Sequence, residues 1–134
     1  MQTEFFMPMK PPTVTHQEKQ ITVVNDKPVV YEPAELKAAR AKLMANLGKH
    51  KPAVPYIGAV RLTVKWCFPI PTTGKRQNGQ YKHTKPDNGN MQKLLEDCME
   101  DLGYYKNDAQ IASLIVEKFW ADMPGIYIRI EELT

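Results

Sequence analysis

Residues 85–111 read KPDNGNMQKLLEDCMEDLGYYKNDAQI, and this stretch decides the fold more than any other part of the chain. Its apolar side chains recur at i, i+3, i+4, i+7, i+8 and i+11, a spacing typical of a helix with one buried stripe. The stripe consists of Met91, Leu94, Leu95, Cys98, Met99 and Leu102. Gly103 follows as a natural helix end, because glycine readily takes the left-handed conformation of a C-cap. The stretch therefore predicts a helix that begins near 88–90 and ends at Leu102.

The segments on either side of this helix alternate apolar and polar residues, which is typical of half-buried strands. Tyr56–Phe68 is the clearest of these strands, and Ile111–Trp120 and Ile126–Ile130 follow the helix. In the last segment, Ile126, Ile128 and Ile130 alternate with Tyr127 and Arg129.

The N-terminal third contains further turn and helix signals. A short strand is predicted over Thr3–Met7, and residues 21–24 and 28–31 flank an Asn25-Asp-Lys turn as a hairpin. Pro33 opens a second helix that Gly48 ends. The predicted order, β-β-β-α-β-α-β-β, indicates an α+β fold: one domain over residues 1–134, with two main helices and a mixed or mostly antiparallel sheet.

Composition indicates an ordinary soluble globular protein. Of 134 residues, 43% are hydrophobic and 25% charged, and no apolar run approaches the length of a membrane span. The N-terminus lacks the basic start and long apolar core of a signal peptide, so we predict a cytoplasmic location. Cys67 and Cys98 fit that compartment as reduced thiols, and neither has a partner at the spacing of a zinc site.

Charge is distributed unevenly, although a net charge of +3 does not by itself predict binding to nucleic acid. Residues 72–86 contain four basic side chains and His83 but no acid, and acids dominate residues 87–108. The basic side chains are Lys75, Arg76, Lys82 and Lys85. They lie in a polar loop over residues 69–86. This loop is longer than the usual connection between elements of a compact domain, and loops of such length are usually functional or disordered. Composition alone favours a simpler interpretation, a solvated loop beside a solvated helix.

The acidic segment carries a candidate constellation for phosphodiester chemistry. Asp87 lies at the helix entrance, and Asn90, Lys93 and Asp97 share one face at spacings of three and four. Asp108 follows the helix and returns toward it only if the next strand docks beside that face. Carboxylates that converge beside a basic groove suit Mg²⁺, which prefers hard oxygen ligands.

Each residue of this constellation also has a structural interpretation that needs no catalysis. Asp87 is a candidate N-cap, and Lys93 with Asp97 could form a simple surface ion pair. Asp108 could be only a turn residue.

The motif as a whole resembles the RusA-type Holliday junction resolvases, in particular the branch found in phages and prophages of Gram-positive bacteria. That family carries Asp-x-Asp-Asn-x-x-Lys at a helix start, then Gly-aromatic-aromatic-x-Asp-Asp-x-Gln and a strand with a lysine near its end. The matching residues here are Asp87, Asn90, Lys93, Gly103-Tyr-Tyr, Asp108, Gln110 and Lys118, with Phe5-Phe6-Met7-Pro8 matching the N-terminal strand. Two positions depart from the family pattern, because Gly89 and Asn107 stand where it has aspartates.

The resemblance implies an enzyme and a site. The catalytic residues are expected to be Asp87, Lys93 and Asp108, with Asp87 and Asp108 as ligands of Mg²⁺ or, alternatively, Mn²⁺. The implied partners are a second copy of the chain and branched DNA, whose phosphates the four basic side chains of the loop would hold. The ligand expected at position 89 is absent, and Asp97, about two helical turns along, is a poor substitute.

Three functions remain open from the sequence. The first is a structure-selective endonuclease that resolves four-way junctions. The second is a protein of the same fold that grips branched DNA but cuts it poorly or not at all. The third is a protein-interaction subunit whose acidic helix is only a solvated face.

Overall fold

The computed structural model describes residues 1–13 and 20–134 and contains the eight predicted elements in the predicted order. The elements are β1 (Gln2–Pro8), β2 (Gln20–Val24), β3 (Lys27–Tyr31), α1 (Ala34–Gly48), β4 (Val60–Pro69), α2 (Asn88–Leu102), β5 (Ile111–Ala121) and β6 (Gly125–Glu132). A short 3-10 turn, Asp108–Gln110, leads directly into β5.

The main sheet has four strands in the order β1-β6-β4-β5. The β1–β6 and β6–β4 pairs are antiparallel and the β4–β5 pair is parallel, with α2 in the crossover between them. This confirms an α+β fold with a mixed sheet. Strands β2 and β3 form a separate hairpin. Its turn residues Asn25 and Asp26 both have positive φ, 52° and 63°, as a two-residue hairpin turn requires.

The two helices and one face of the sheet enclose the core. From the sheet, Val64, Trp66, Ile128 and other alternate residues of β4 and β6 are fully buried. From α2, the predicted stripe is buried except for Leu102, which is half-buried at the last turn. Burial of alternate strand residues against a helical stripe is the usual source of stability for such a layer.

The opposite face of the sheet, which we call the open face, carries the other set of alternate residues. The residues of this face are neighbours across the paired strands. They are Gln2, Glu4, Phe6, Pro8, Arg61, Thr63, Lys65, Cys67, Ser113, Ile115, Glu117, Phe119, Gly125, Tyr127, Arg129 and Glu131. Most are half-buried, and Ile115 is 43% exposed. Both thiols are free, and Cys98 in α2 is buried, which raises its pKa to about 11.

Two element boundaries differ from the sequence expectation. Strand β4 begins at Val60 and not at Tyr56, because Gly58 takes a positive φ of 80° and interrupts the extended chain. Tyr56 instead makes a single parallel bridge to Tyr105. Helix α1 begins at Ala34, with Pro33 as the residue before it. Within residues 1–13 and 20–134, no helix has the length and apolar character needed to cross a membrane.

Candidate active site

Asp87 lies at the start of α2, where the basic loop ends. Its backbone is extended (φ −72°, ψ 140°) and occupies the N-cap position, but its side chain makes no capping hydrogen bond. The helix start is held by the backbone, since the Met91 N–H donates to the Asp87 carbonyl at 3.2 Å. The carboxylate is exposed and is therefore not used as a structural cap.

Lys93 brings together carboxylates from two parts of the chain. Its ammonium lies 3.3 Å from Asp108 Oδ2 and 3.4 Å from Asp97 Oδ1. The turn before β5 thus docks beside the predicted face of α2, which the sequence alone could not establish. The bond to Asp108, followed by the nearby charge of Asp97, raises the pKa of Lys93. The raised pKa favours the cationic form of Lys93.

The turn that carries Asp108 is a complete capping box. The Asn107 side chain accepts from the Ala109 N–H at 2.7 Å, and the Gln110 side chain accepts from the Asn107 N–H at 3.2 Å. Because Asn and Asp cap equally well, the departure at Asn107 leaves the local structure intact. The Asp108 N–H donates to Glu100 Oε1 at 2.7 Å, which ties the turn to the last part of α2.

Gln110 has a role that the sequence did not reveal. Its Oε1 also accepts from the Lys106 N–H at 2.9 Å, and its Nε2 donates to the carbonyls of Tyr56 and Gly58, each at 3.0 Å. These contacts use the full bonding capacity of one side-chain amide. Gln110 therefore fastens the turn beside Asp108 to the segment that precedes β4.

The last residues of the basic loop are held from β5. The Lys118 ammonium donates to the Thr84 carbonyl at 2.7 Å and to the Pro86 carbonyl at 2.8 Å. The Lys82 ammonium donates to the hydroxyl of the same Thr84. Two lysines thus fix the chain immediately before Asp87, an arrangement that no local sequence signal predicts.

The four predicted DNA-binding side chains divide into two kinds. Lys75, Arg76 and Lys85 are exposed, whereas Lys82 is only 8% exposed. The Lys82 ammonium lies 4.4 Å from the centre of the Trp120 ring and 5.2 Å from that of Phe68. Burial, followed by the positive charges of Lys118 and Arg76, lowers its pKa. Lys82 is therefore not an open phosphate contact in this structure, and its role in binding DNA stays a prediction.

Position 89 lies in the first turn of α2 and has room for a side chain. Gly89 is not among the positive-φ glycines, and a Cβ built there would meet no atom within 4 Å. Nothing in the backbone or the packing thus requires glycine, and an aspartate would fit.

The donor set suits a sparsely held divalent ion. Asp87 and Asp108 offer hard oxygens, and the nearby Asn88 Oδ1 is buried with no hydrogen-bond partner. In the part of the chain that the structure describes, no three His, Cys, Asp or Glu side chains are grouped to hold a metal. These donors fit Mg²⁺, which keeps several water ligands, better than an ion that needs a complete protein cage.

Comparisons with known proteins identify the family of the chain. Residues 8–131 match the family model of endodeoxyribonuclease RusA. The chain is 31% identical over 133 residues to the crossover junction endodeoxyribonuclease rusA of Lactococcus phage r1t, covering 99% of this chain and all of the relative. It is also 28% identical over 122 residues to the uncharacterized protein YqaN of Bacillus subtilis (strain 168), covering 84% of this chain and 85% of that protein. The chain therefore belongs to the RusA family of endodeoxyribonucleases.

Proposed function

We propose that this chain is a Mg²⁺-dependent, structure-selective endodeoxyribonuclease that resolves Holliday junctions in DNA recombination and repair. The observation that carries the proposal is the meeting of Lys93 with Asp108 at 3.3 Å. A cation and a carboxylate from separate elements converge beside α2, at the residues that match the family motif. Family membership and the name of the phage relative support the choice of substrate.

Asp87 and Asp108 would hold the metal ion, with Mn²⁺ as an alternative to Mg²⁺. When bound, a divalent ion supplies positive charge to the phosphoryl and leaving oxygens and activates water. Lys93 would stay protonated and place a further positive charge beside the reacting phosphate. The side chain is 55% exposed, so a phosphate could reach it without rearrangement of the fold.

The exposed cations of the basic loop would hold the DNA backbone. Lys75, Arg76 and Lys85 would contribute affinity without sequence information, because phosphate contacts carry none. They lie in the loop that leads into Asp87, so bound phosphates would be guided toward the site.

We also propose that residues 1–134 form one domain that acts as a cytoplasmic homodimer. Two-fold symmetry suits paired cuts across a four-way junction. The open face of the sheet supports dimerisation, because its acids and bases balance and it carries Phe6, Ile115 and Phe119. The acids are Glu4, Glu117 and Glu131, and the bases are Arg61, Lys65 and Arg129. A neutral, partly apolar surface suits an identical partner better than DNA.

A second function is favoured by one observation, the lack of a carboxylate at Gly89 together with the sparse donor set. In this alternative the chain binds branched DNA and cuts it slowly or not at all.

One assay separates the two functions. A labelled four-way junction and a linear duplex of the same sequence are incubated with the chain, with Gly89→Asp and with Gly89→Asn, in Mg²⁺ or in EDTA. Gly89→Asn is the matched control because it adds a side chain of similar size without a charge. Binding is measured in parallel by gel shift in EDTA.

A resolvase cuts the junction symmetrically in Mg²⁺, spares the duplex and is inactive in EDTA. If only Gly89→Asp cuts, while all three proteins bind the junction, the alternative is correct for this chain. If none of the three prefers the junction to the duplex, both functions are wrong.

A further inference from the structure

We propose that Lys118 is a positioning residue for Asp87. It would act by holding the backbone of residues 84–86 and not by touching DNA or metal. This inference rests on the proposed function, because it assigns a task to Asp87. The inference concerns Lys118 and its bonds to backbone carbonyls, whereas the proposed function rests on the contact between Lys93 and Asp108.

The geometry gives Lys118 a specific target. Its two hydrogen bonds, at 2.7 Å and 2.8 Å, end on the carbonyls of Thr84 and Pro86, the second of which directly precedes Asp87. Hydrogen bonds from a charged donor are stronger than neutral ones. Fixing the carbonyls at 84 and 86 restrains the chain direction at the entry to α2, where Asp87 begins the helix.

The location of Lys118 makes this restraint rigid. It lies in β5 opposite Trp66 of β4, in a ladder that continues for ten residue pairs. The loop itself adds an antiparallel bridge to β5, with the Lys82 N–H donating to the Lys118 carbonyl at 3.0 Å. The side chain and the backbone of Lys118 thus both bind the loop to the sheet.

The contacts of Lys118 distinguish it from the other lysines of the site. Lys93 contacts carboxylates at 3.3 Å and 3.4 Å, and Lys85 is exposed. Lys118 is half-buried, and its ammonium donates to two backbone carbonyls. A lysine used in this way contributes donors and charge to the fold, and it is not directed at a phosphate.

The test compares Lys118→Met, which keeps the aliphatic stem but removes the donors, with Lys118→Arg, which restores donors. Lys37→Met is the control: Lys37 is an exposed lysine of α1, outside both the open face and the basic loop. Urea unfolding first establishes that each variant folds. Backbone ¹⁵N relaxation of residues 84–88 then reports loop order without metal or DNA.

Further measurements follow Asp87 itself. Mg²⁺ chloride alone is titrated while the amide signals of Asp87 and Asn88 are monitored, and junction affinity is measured in EDTA. We expect Lys118→Met to loosen residues 84–88 and to weaken the Mg²⁺ midpoint by about 10-fold, the size usual for loss of a group that orients a ligand. Junction affinity should stay within about two-fold. Lys118→Arg should restore both properties, and Lys37→Met should change neither.

Two results overturn the proposal. If Lys118→Met leaves the order of residues 84–88 unchanged, Lys118 does not hold the loop. If Lys118→Met instead reduces the salt dependence of junction binding by about one unit, it contacts a phosphate. A chain that binds no Mg²⁺ at all contradicts the proposed metal dependence, and loop order then still decides whether Lys118 positions Asp87.

Discussion

The two carboxylates of the site are held in different ways. Asp108 lies in a turn whose capping bonds are local, because Asn107 and Gln110 cap each other's backbone within four residues, and Gln110 also joins the turn to residues 56 and 58. Asp87 follows a loop that is fastened by Lys118, more than 30 positions along the chain. Local capping therefore contributes to the Asp108 end, whereas the Asp87 end is fastened by Lys118 of the sheet.

This difference means that the same kind of substitution should have different consequences at the two ends. Damage at the Asp108 end should affect the stability of the fold, since Gln110 joins the turn to residues 56 and 58. Loss of the Lys118 contacts at the Asp87 end should affect the site more than the fold, since Thr84 and Lys85 are exposed.

The largest effect is expected from the carboxylates themselves. Asp87→Asn and Asp108→Asn should each lower Mg²⁺-dependent junction cleavage by about 10²–10³-fold, the size typical of losing one charge-stabilising group. Both are made in the Gly89→Asp background so that the rate stays measurable. Only Asp108→Asn should also lower the pKa of Lys93, because it neutralises the carboxylate whose hydrogen bond raises that pKa most. The pKa is measured by NMR titration of the lysine ammonium.

Equal pKa values for Lys93 in the two variants would contradict the statement that Asp108, and not Asp87, raises the pKa of Lys93. Full cleavage activity in either variant would show that the carboxylate replaced is not a metal ligand.

Sequence reasoning predicted the helices and strands better than the contacts between them, for a physical reason. The helical stripe, the strand alternation and the turn signals are local patterns, and all eight elements followed from them. The pairing of Lys93 with Asp108 depended on which side of α2 the next strand takes, which no local pattern specifies. The anchoring by Lys118 and the burial of Lys82 depend on contacts with other strands and with the loop. The sequence alone therefore did not indicate what either lysine contacts.

The next largest effect is expected on stability at the Asp108 end. Gln110→Met removes an amide that makes four hydrogen bonds, one of them to the Tyr56 carbonyl in a partly buried position. We expect a loss of about 1–3 kcal/mol in the free energy of unfolding, measured with urea. Gln80→Met is the control, because Gln80 is exposed and its side chain accepts one loop hydrogen bond at 3.2 Å. An equal loss in both variants would show that Gln110 is not a structural link.

A smaller effect is expected at the Asp87 end, on DNA binding. Lys85→Glu should weaken binding to a junction and to a duplex by similar factors and should reduce the salt slope by about one unit. Lys82→Met should instead leave the slope unchanged and lower stability, because its ammonium packs on Trp120 at 4.4 Å. Binding is measured by fluorescence anisotropy over a series of salt concentrations. A reduced salt slope for Lys82→Met would show that Lys82 contacts a DNA phosphate.

The smallest effect concerns Glu96, which lies on α2 near Asp108. Burial raises its pKa above the ordinary value of 4.5, and the negative charge of Asp108 adds to that increase, while the Gln92 side chain and the positive charge of Lys93 oppose it. A carboxyl whose pKa is higher in the folded state stabilises the fold when protonated, and that contribution is lost as pH rises through the folded pKa. Glu96→Gln should therefore be more stable than the parent chain at pH 7, and the difference should vanish below pH 4.5. Urea unfolding in EDTA at several pH values measures this without metal at the site. A stability gain of the same size at every pH would mean that the substitution acts through packing and not through the charge of Glu96.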